Sequence, residues 1–328
     1  MKKVYPERSR RAVVIGGGTG TYTVLMGLKK YPLDLTAIVS TLDSGGSSGR
    51  LRDEFGVLPP GDVRQCLLAL SNLPLEKISL QQLFDYRFNN GAGLRGHSFG
   101  NLLLTALTGI TGREDLAIAE AAKILDVKGQ VLPVTLSKSN LCVRLEDGTI
   151  IKGESNIDIR RVRPKLKIAD VFLDPAVRIF PSARKAILSA DLIILGPGDL
   201  YTSVIPNLLV AGVSRAIAKS KGKLVYICNL MTKHGETDGF KVSDFVREIM
   251  RYSNQGKKKL NLVLVNNNFD VPQLVLKRYE REHSFPVKAD VKTLQKLGVK
   301  VIAKPLAAAG QLWRHDSKKL AKTLHSLL

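Results

Sequence analysis

Short apolar runs along this chain keep ending in the same way. Residues 11–15 give onto Gly16-Gly17-Gly18-Thr19-Gly20, and residues 35–41 lead to Asp43-Ser44-Gly45-Gly46-Ser47-Ser48-Gly49-Arg50. Residues 192–195 precede Gly196-Pro197-Gly198-Asp199-Leu200-Tyr201-Thr202-Ser203, and 223–228 precede Asn229, Met231-Thr232 and Gly235-Glu236-Thr237. The last such run, 262–265, gives Asn266-Asn267-Asn268. Helical patterns lie between them, at 22–31, 62–70, 80–88, 101–107, 113–125, 176–189, 207–219, 242–250 and 318–327. Strands alternating with helices predict a parallel sheet covered on both faces. In such a sheet every loop that follows a strand emerges at the carboxyl edge, where open α/β folds bind ligands. A structural turn needs one glycine or asparagine, so five polar, glycine-rich and hydroxyl-rich loops exceed that need.

The middle of the chain breaks the alternation. Residues 131–136, 141–145 and 149–152 are short, with Glu146-Asp147-Gly148 at a turn, which predicts a β-hairpin or meander. No repeat, low-complexity linker or clear boundary interrupts the rest. The expected fold is therefore a Rossmann-like three-layer α/β/α with a mostly parallel sheet and a small β-hairpin insertion. It forms a single α/β domain over 1–328, with the β-rich insertion at about 130–170.

Composition removes several classes. The 44% apolar fraction argues against disorder, and no apolar run approaches the ~18–20 residues of a membrane-spanning helix. The charged N-terminus leads straight into a strand-like run, so no signal peptide is expected. Three cysteines, Cys66, Cys142 and Cys228, are too far apart for a metal knuckle and odd in number for a disulfide framework, which suits a reducing cytoplasm. The five histidines show no paired helical spacing, and no Gly-x-Ser-x-Gly elbow is present, so neither a metal site nor a catalytic residue is assigned.

A net charge of +21 raises the question of nucleic acid. The basic residues are dispersed, however, with dense clusters only at 2–11, 160–167 and 257–259. Neither aromatic platforms nor a helix-turn-helix or RNA-binding signature accompanies them. Most of the charge reads as solvated surface, leaving the remainder for anionic partners.

Two loops carry the chemistry. Gly17, Gly18, Thr19 and Gly20 let the main chain approach a ligand, and the helix after them offers free amides to a phosphate. A tight turn with no ligand accounts for the same residues equally well. Asp43 lies where an acid closing a second strand meets a ribose hydroxyl, and Ser44, Gly45, Gly46, Ser47, Ser48 and Arg50 suit a diphosphate. A mobile surface loop is the alternative. Asp62, after Pro59-Pro60-Gly61, is either a helix N-cap or a site residue, and Arg64 is expected to point outward. His97 is either a ligand or acid–base group or a structural hydrogen-bonding residue.

Together these segments resemble one family. Residues 13–20, 43–52, 59–64, Tyr86-Arg87-Phe88, 96–102, 196–203 and 226–232 are similar to successive motifs of the YvcK family of gluconeogenesis factors, within the CofD-like superfamily. The match runs from about Val13 to Arg314-His315-Asp316. The resemblance implies a cytoplasmic bacterial protein that binds a nucleotide sugar, UDP-N-acetylglucosamine in particular. It also implies a role in cell shape and envelope synthesis on gluconeogenic carbon sources, with protein partners there. The two loops above would hold the nucleotide and diphosphate. By the same resemblance, Asp62, His97, Asn101, Gly198, Tyr201, Thr202, Asn207, Asn229 and Thr232 would line the same cleft, and Arg314 would reach back to the anion.

Where many relatives carry two acids before the glycine-serine segment, this chain has Asp43-Ser44, which weakens the case for a divalent metal. No cofactor is required on this reading. The enzyme branch supplies the alternative, a CofD-like transfer of a phospholactyl group to a deazaflavin, with magnesium and Asp43 and Asp62. A homodimer is the default assembly.

Overall fold

The computed structural model describes residues 9–73, 80–91, 93–163, 165–253, 260–308 and 312–328. The basic cluster at 257–259 and most of that at 2–11 lie outside them. Seven strands form a wholly parallel sheet: β1 (Arg10–Gly16), β2 (Leu33–Val39), β3 (Gln130–Pro133), β7 (Leu192–Leu195), β8 (Lys223–Ile227), β9 (Leu262–Asn266) and β10 (Lys300–Lys304). Their spatial order is β10-β9-β8-β7-β1-β2-β3. A separate three-stranded antiparallel sheet, β4 (Asn140–Leu145), β5 (Ile150–Lys152) and β6 (Ile168–Asp174), is ordered β5-β4-β6.

The central strands read as unbroken apolar runs because both faces are covered. On β1, Val13 and Ile15 enter one core with Ile193 and Leu195 of β7, while Ala12 and Val14 enter another with Leu192 and Ile194. The first core packs under Pro181–Ser189, Val213–Lys219 and Val242–Ser253 and reaches Leu141, Val143 and Val171 of the small sheet. The second packs under α1 (Gly18–Leu28), α3 (Gly61–Leu70), α6 (Glu114–Ile124) and the last helix, Ser317–His325. The three-layer reading therefore holds. Cys66, Cys142 and Cys228 are buried and free, and no helix among the described residues is long and apolar enough to cross a membrane.

Several local expectations are corrected. Residues 46–50 are not loop but the start of α2 (Gly46–Phe55). The helix expected over 207–219 is two, Ile205–Leu209 and Val213–Lys219, because Gly212 at φ +105° turns the chain between them. The segment 131–136, expected in the hairpin, contributes β3 to the parallel sheet beside β2. The third strand of the small sheet is β6, which the sequence reading passed over. Strand β10 was also missed; it lies at the sheet's edge, half exposed, and so carries no apolar run.

Candidate functional site

The chain enters the sheet at β1, proceeds outward to β2 and β3, then returns to add β7 on the other side of β1. Strand direction of travel therefore reverses between β1 and β7, and the loops leaving these two neighbours splay apart at their carboxyl ends. That is where open α/β sheets form a crevice. Gly16-Gly17-Gly18 follows β1 and Gly196-Pro197-Gly198 follows β7.

Close packing of these turns explains their glycines. Gly18 opens α1 at φ +63°, a left-handed conformation that disfavours other residues. A Cβ on Gly20 would sit 2.1 Å from the Pro197 carbonyl oxygen, and one on Gly17 would sit 2.2 Å from a carboxylate oxygen of Asp62. Gly20→Ala should therefore push the two turns apart. We expect a loss of about 1–3 kcal/mol in urea unfolding, the usual cost of overpacking, together with weaker ligand binding. Wild-type stability and affinity in that variant would show the contact to be slack.

A cleft of about 450 Å³ opens at this point. Gly17, Gly18, Thr19, Gly20, Gly198, Asp199, Ser203, Asn229, Thr232 and Lys233 line its floor and one wall, with Tyr279, Glu282, Trp313, Arg314 and His315 opposite. The first-turn amides of α1 have no partners within the helix, as at any helix start. Gly18 N–H is already committed, donating to Asp62 at 2.7 Å. The Asn229 amide donates to the Gly198 carbonyl at 2.9 Å, fastening the loop after β8 to the loop after β7. Thr232 is buried, and its hydroxyl accepts from Phe285 N–H at 2.9 Å. That contact, with the bridge Met231–Pro286, hangs the outer wall on the inner one. Trp313 packs on Leu230, Val275 and Ala307, and beside it the exposed Arg314 guanidinium makes no ion pair among the described residues. His315 is held neutral, its pKa lowered to about 4 by burial against a hydrogen bond to the Cys228 backbone.

Asp62 is not the N-cap of α3; that position is Pro60, and Asp62 sits in the first turn beneath Gly17 and Gly18. Burial and the neighbouring Asp43 push its pKa up to about 7, against the opposing Gly18 hydrogen bond. Glu154, at the start of α7 (Glu154–Asp158), is driven to about 8 by burial and then by Asp43, Asp158 and Asp62. Three carboxyls thus share one side of the glycine turn, and two of them titrate near neutrality. Beyond them, Lys233 Nζ contacts Asp158, lies 2.6 Å from Asp199 and 3.4 Å from Glu236. These three acids could between them hold a cation, and the lysine ammonium fills that role. Its pKa is raised by Glu236, Asp199 and Asp158 despite burial. With three carboxyls around one cation, the fully buried Glu236 keeps a proton up to about 8.

No residue of the segment 43–50 lines this cleft; Asp43 reaches it only indirectly, through Asp62 beneath Gly17 and Gly18. Asp43 accepts from Gly45 N–H at 2.7 Å and adjoins Asp62. Ser44 instead receives the Ser155 amide at 3.0 Å, tying the loop to α7. Ser47 bonds His97 Nδ1 at 2.9 Å and receives the Asn101 amide at 3.1 Å. Burial and the Arg50 guanidinium lower the pKa of His97, so a neutral imidazole holds this contact. Gly45 is the N-cap of α2, with Gly46, Ser47 and Ser48 in its first turn, and Arg50 donates to the Arg95 carbonyl at 2.7 Å. Ser47, Arg50, His97 and Asn101 therefore form a second group, off the floor of the cleft.

Tyr201, Thr202 and Asn207 do not line the cleft. The π-helical turn Leu200–Val204 rotates Tyr201 into the core against Glu248, places Thr202 on Glu236, and leaves Ser203 facing the cleft. Asn207 is fully buried, its amide on the Ser203 carbonyl. Arg64, expected outside, is buried and paired with Asp85. Sequence reasoning missed Lys233, Glu154, Asp158, Tyr279, Glu282 and Trp313. Only Lys233 carried a local signal, lying directly after Thr232 in a post-strand loop.

Residues 12–307 match the family described as 2-phospho-L-lactate transferase CofD. The chain belongs to the CofD family. Among its relatives is a protein named "Gluconeogenesis factor" from Bacillus subtilis (strain 168), 42% identical over 97% of this chain and 98% of that protein. Another of the same name, from Halalkalibacterium halodurans, is 44% identical over 97% and 96%. A crystal structure of a UPF0052 family member from Bacillus halodurans superposes on this CofD-family chain with a TM-score of 0.90 at 43% identity, covering 97% of this chain and 99% of that one. The resemblance read from the motifs and the α/β fold are both borne out.

Proposed function

We propose that this CofD-family protein is a gluconeogenesis factor whose cleft binds a nucleotide sugar, UDP-N-acetylglucosamine in particular. On this reading it acts in the cytoplasm, and occupancy of the cleft is signalled to partners in cell morphogenesis and envelope synthesis rather than consumed by turnover. The observation that carries the ligand class is that one cleft is lined by a glycine-built helix start, by an exposed arginine with no ion pair among the described residues, and by the edges of two aromatic side chains. Helix-start amides and Arg314 suit a diphosphate, while Trp313 and Tyr279 suit a base. A cleft of about 450 Å³ falls within the usual range for small-molecule sites. The names of the relatives support the physiological role.

Thermal denaturation with UDP-N-acetylglucosamine, UDP, NAD and GTP tests the reading. A ligand at 100 times its dissociation constant stabilises the fold by roughly 2.7 kcal/mol, and UDP-N-acetylglucosamine should do so. No shift with any nucleotide would remove the proposal. Arg314→Ala should weaken UDP binding by at least tenfold, since a charge-assisted hydrogen bond contributes about 1.5–3 kcal/mol, and should leave the melting temperature of the free protein unchanged. Arg50→Ala, whose guanidinium faces Arg95, should change affinity far less. Equal losses in calorimetric titrations would relocate the anion to the α2 side.

A second reading is favoured by the family's description and by the carboxyls Asp43, Asp62 and Glu154 beside the glycine turn. It is transfer of a phospholactyl group from a lactyl-diphospho-nucleoside to a deazaflavin hydroxyl: the hydroxyl oxygen bonds to the lactyl-bearing phosphorus and loses its proton, the phosphoanhydride breaks, and the nucleoside monophosphate leaves. Incubation with both substrates, with and without magnesium, decides it; absence of phospholactyl-deazaflavin by mass spectrometry excludes it.

A further inference from the structure

The opposite edge of the sheet has its own character. Parallel pairing places the amino ends of all seven strands together, and three of them begin on cations: Arg10 of β1, Lys223 of β8 and Lys300 of β10. The connections arriving at this edge add Lys30 before β2 and Lys128 before β3. Lys219 and Lys221 precede β8, and Lys296 precedes β10. All eight are exposed, and among the described residues none has a carboxylate oxygen within 4.0 Å. The acids of these same segments are only Asp34, Asp126 and Asp191, and Asp191 is occupied by the Arg11 amide at 2.8 Å. Acids concentrate at the other edge, around Asp43, Asp62, Glu154, Asp158, Asp199 and Glu236.

Two further observations point to an anionic occupant. A concavity of about 590 Å³ lies at this edge, lined by Lys29, Lys30, Tyr31, Asp34 and Lys128 among others. Its lysines crowd one another: Lys29, whose ammonium donates to the Ser71 carbonyl at 2.8 Å, is lowered by burial first, then by Lys30 and Lys128. Groups held in that relation gain from a counter-anion between them.

We infer that the amino edge of the sheet docks on the anionic surface of a lipid bilayer, with a headgroup phosphate seated in the concavity and the cleft turned away from the membrane. Lysine supplies seven of the eight exposed cations. As compact, solvated point charges they suit diffuse attraction to a charged plane, whereas nucleic-acid recognition favours arginine forks. Seven strands at a spacing of about 4.8 Å give a face on the order of 30 Å wide. No aromatic platform for bases was found in the sequence.

Sedimentation of the full chain with vesicles tests this. Vesicles of neutral phosphatidylcholine should leave the protein in solution, and vesicles containing one-third phosphatidylglycerol should carry it down at low salt, less so as salt rises. The combined variant Lys219→Glu, Lys221→Glu and Lys223→Glu should bind the anionic vesicles at least tenfold more weakly, with unchanged melting temperature and unchanged UDP binding. A control with Lys165→Glu and Lys167→Glu, in the segment entering β6, should stay within about twofold of wild type. Equal binding to neutral vesicles, or an equal loss in the control, would overturn the inference. So would tight duplex DNA binding abolished by the triple variant with no preference for anionic vesicles, which would give the face to nucleic acid.

Discussion

Lys233→Met should destabilise the fold by about 1–3 kcal/mol, more than a surface ion pair and less than a fully buried one, because the ammonium and its aspartate partners are half-buried and only Glu236 is sealed from solvent. The ammonium contacts Asp158, Asp199 and Glu236, and it joins three distant segments: α7, the turn after β7 and the loop after β8. Methionine keeps the stem and deletes the charge, leaving the carboxyls to repel one another beside a buried glutamate. For a chain of this size the loss lowers the melting temperature on the order of 5 °C. Protonation of the acids relieves the defect, so the difference from wild type should shrink between pH 8 and pH 5. Lys233→Arg, which retains a cation, should recover part of the loss. A deficit below about 1 kcal/mol at pH 8, by urea unfolding, would mean the cluster is hydrated and behaves as an ordinary surface network.

The second large effect is a dependence on pH that runs opposite to the usual carboxylate case. Asp62 titrates near 7 in the folded chain against an ordinary value of 3.8, and Glu154 near 8 against 4.5. Between those limits the folded chain holds more protons than the unfolded one, so stability is highest on the acidic side and is lost as pH climbs through them. For Asp62 the shift sets a ceiling of about 4 kcal/mol, at 1.36 kcal/mol per unit, and partial solvation brings the expected value nearer 2. Asp62→Asn keeps an acceptor for Gly18 N–H and cannot ionise. That variant should be more stable than wild type at pH 8.5 and equal to it near pH 4. Binding of UDP-N-acetylglucosamine should weaken in wild type from pH 6.5 to pH 9, as carboxylate charge develops beside the cleft, and should do so less in Asp62→Asn. A flat wild-type profile in both measurements would show that Asp62 and Glu154 ionise normally.

Much of this architecture was legible beforehand, and the reasons differ by element. The central strands announced themselves because burial on both faces demands unbroken apolar runs, as in Val13–Ile15 and Leu192–Leu195. The glycine turn was legible because the Pro197 carbonyl at Gly20 and the Asp62 carboxylate at Gly17 leave no room for a Cβ. The edge strand β10 was not, since its side chains are half exposed. Neither was the direction of Tyr201. A π-helical turn rotates successive side chains differently from an α-helix, and nothing in Leu-Tyr-Thr-Ser declares it. The carboxyls Glu154, Asp158 and Glu236 look like surface acids in the sequence, and only the tertiary fold sets Glu154 beside Asp43 and Asp62 and brings Asp158 and Glu236 around Lys233. Likewise, the motifs carrying Ser47 and His97 were grouped with the glycine turn by family resemblance, whereas the fold joins them to each other and to Asn101, outside the lining of the cleft.

The outer wall of the cleft comes from a part of the chain that never enters the glycine turns. Tyr279, Glu282, Trp313 and Arg314 belong to segments joined to the inner wall through the short pairing of Met231–Thr232 with Phe285–Pro286. Mutations accumulating in that half can thus alter which ligand is admitted while the turns that grip it stay as they are. Divergence of selectivity among descendants of one ancestor then requires no redesign of the shared scaffold.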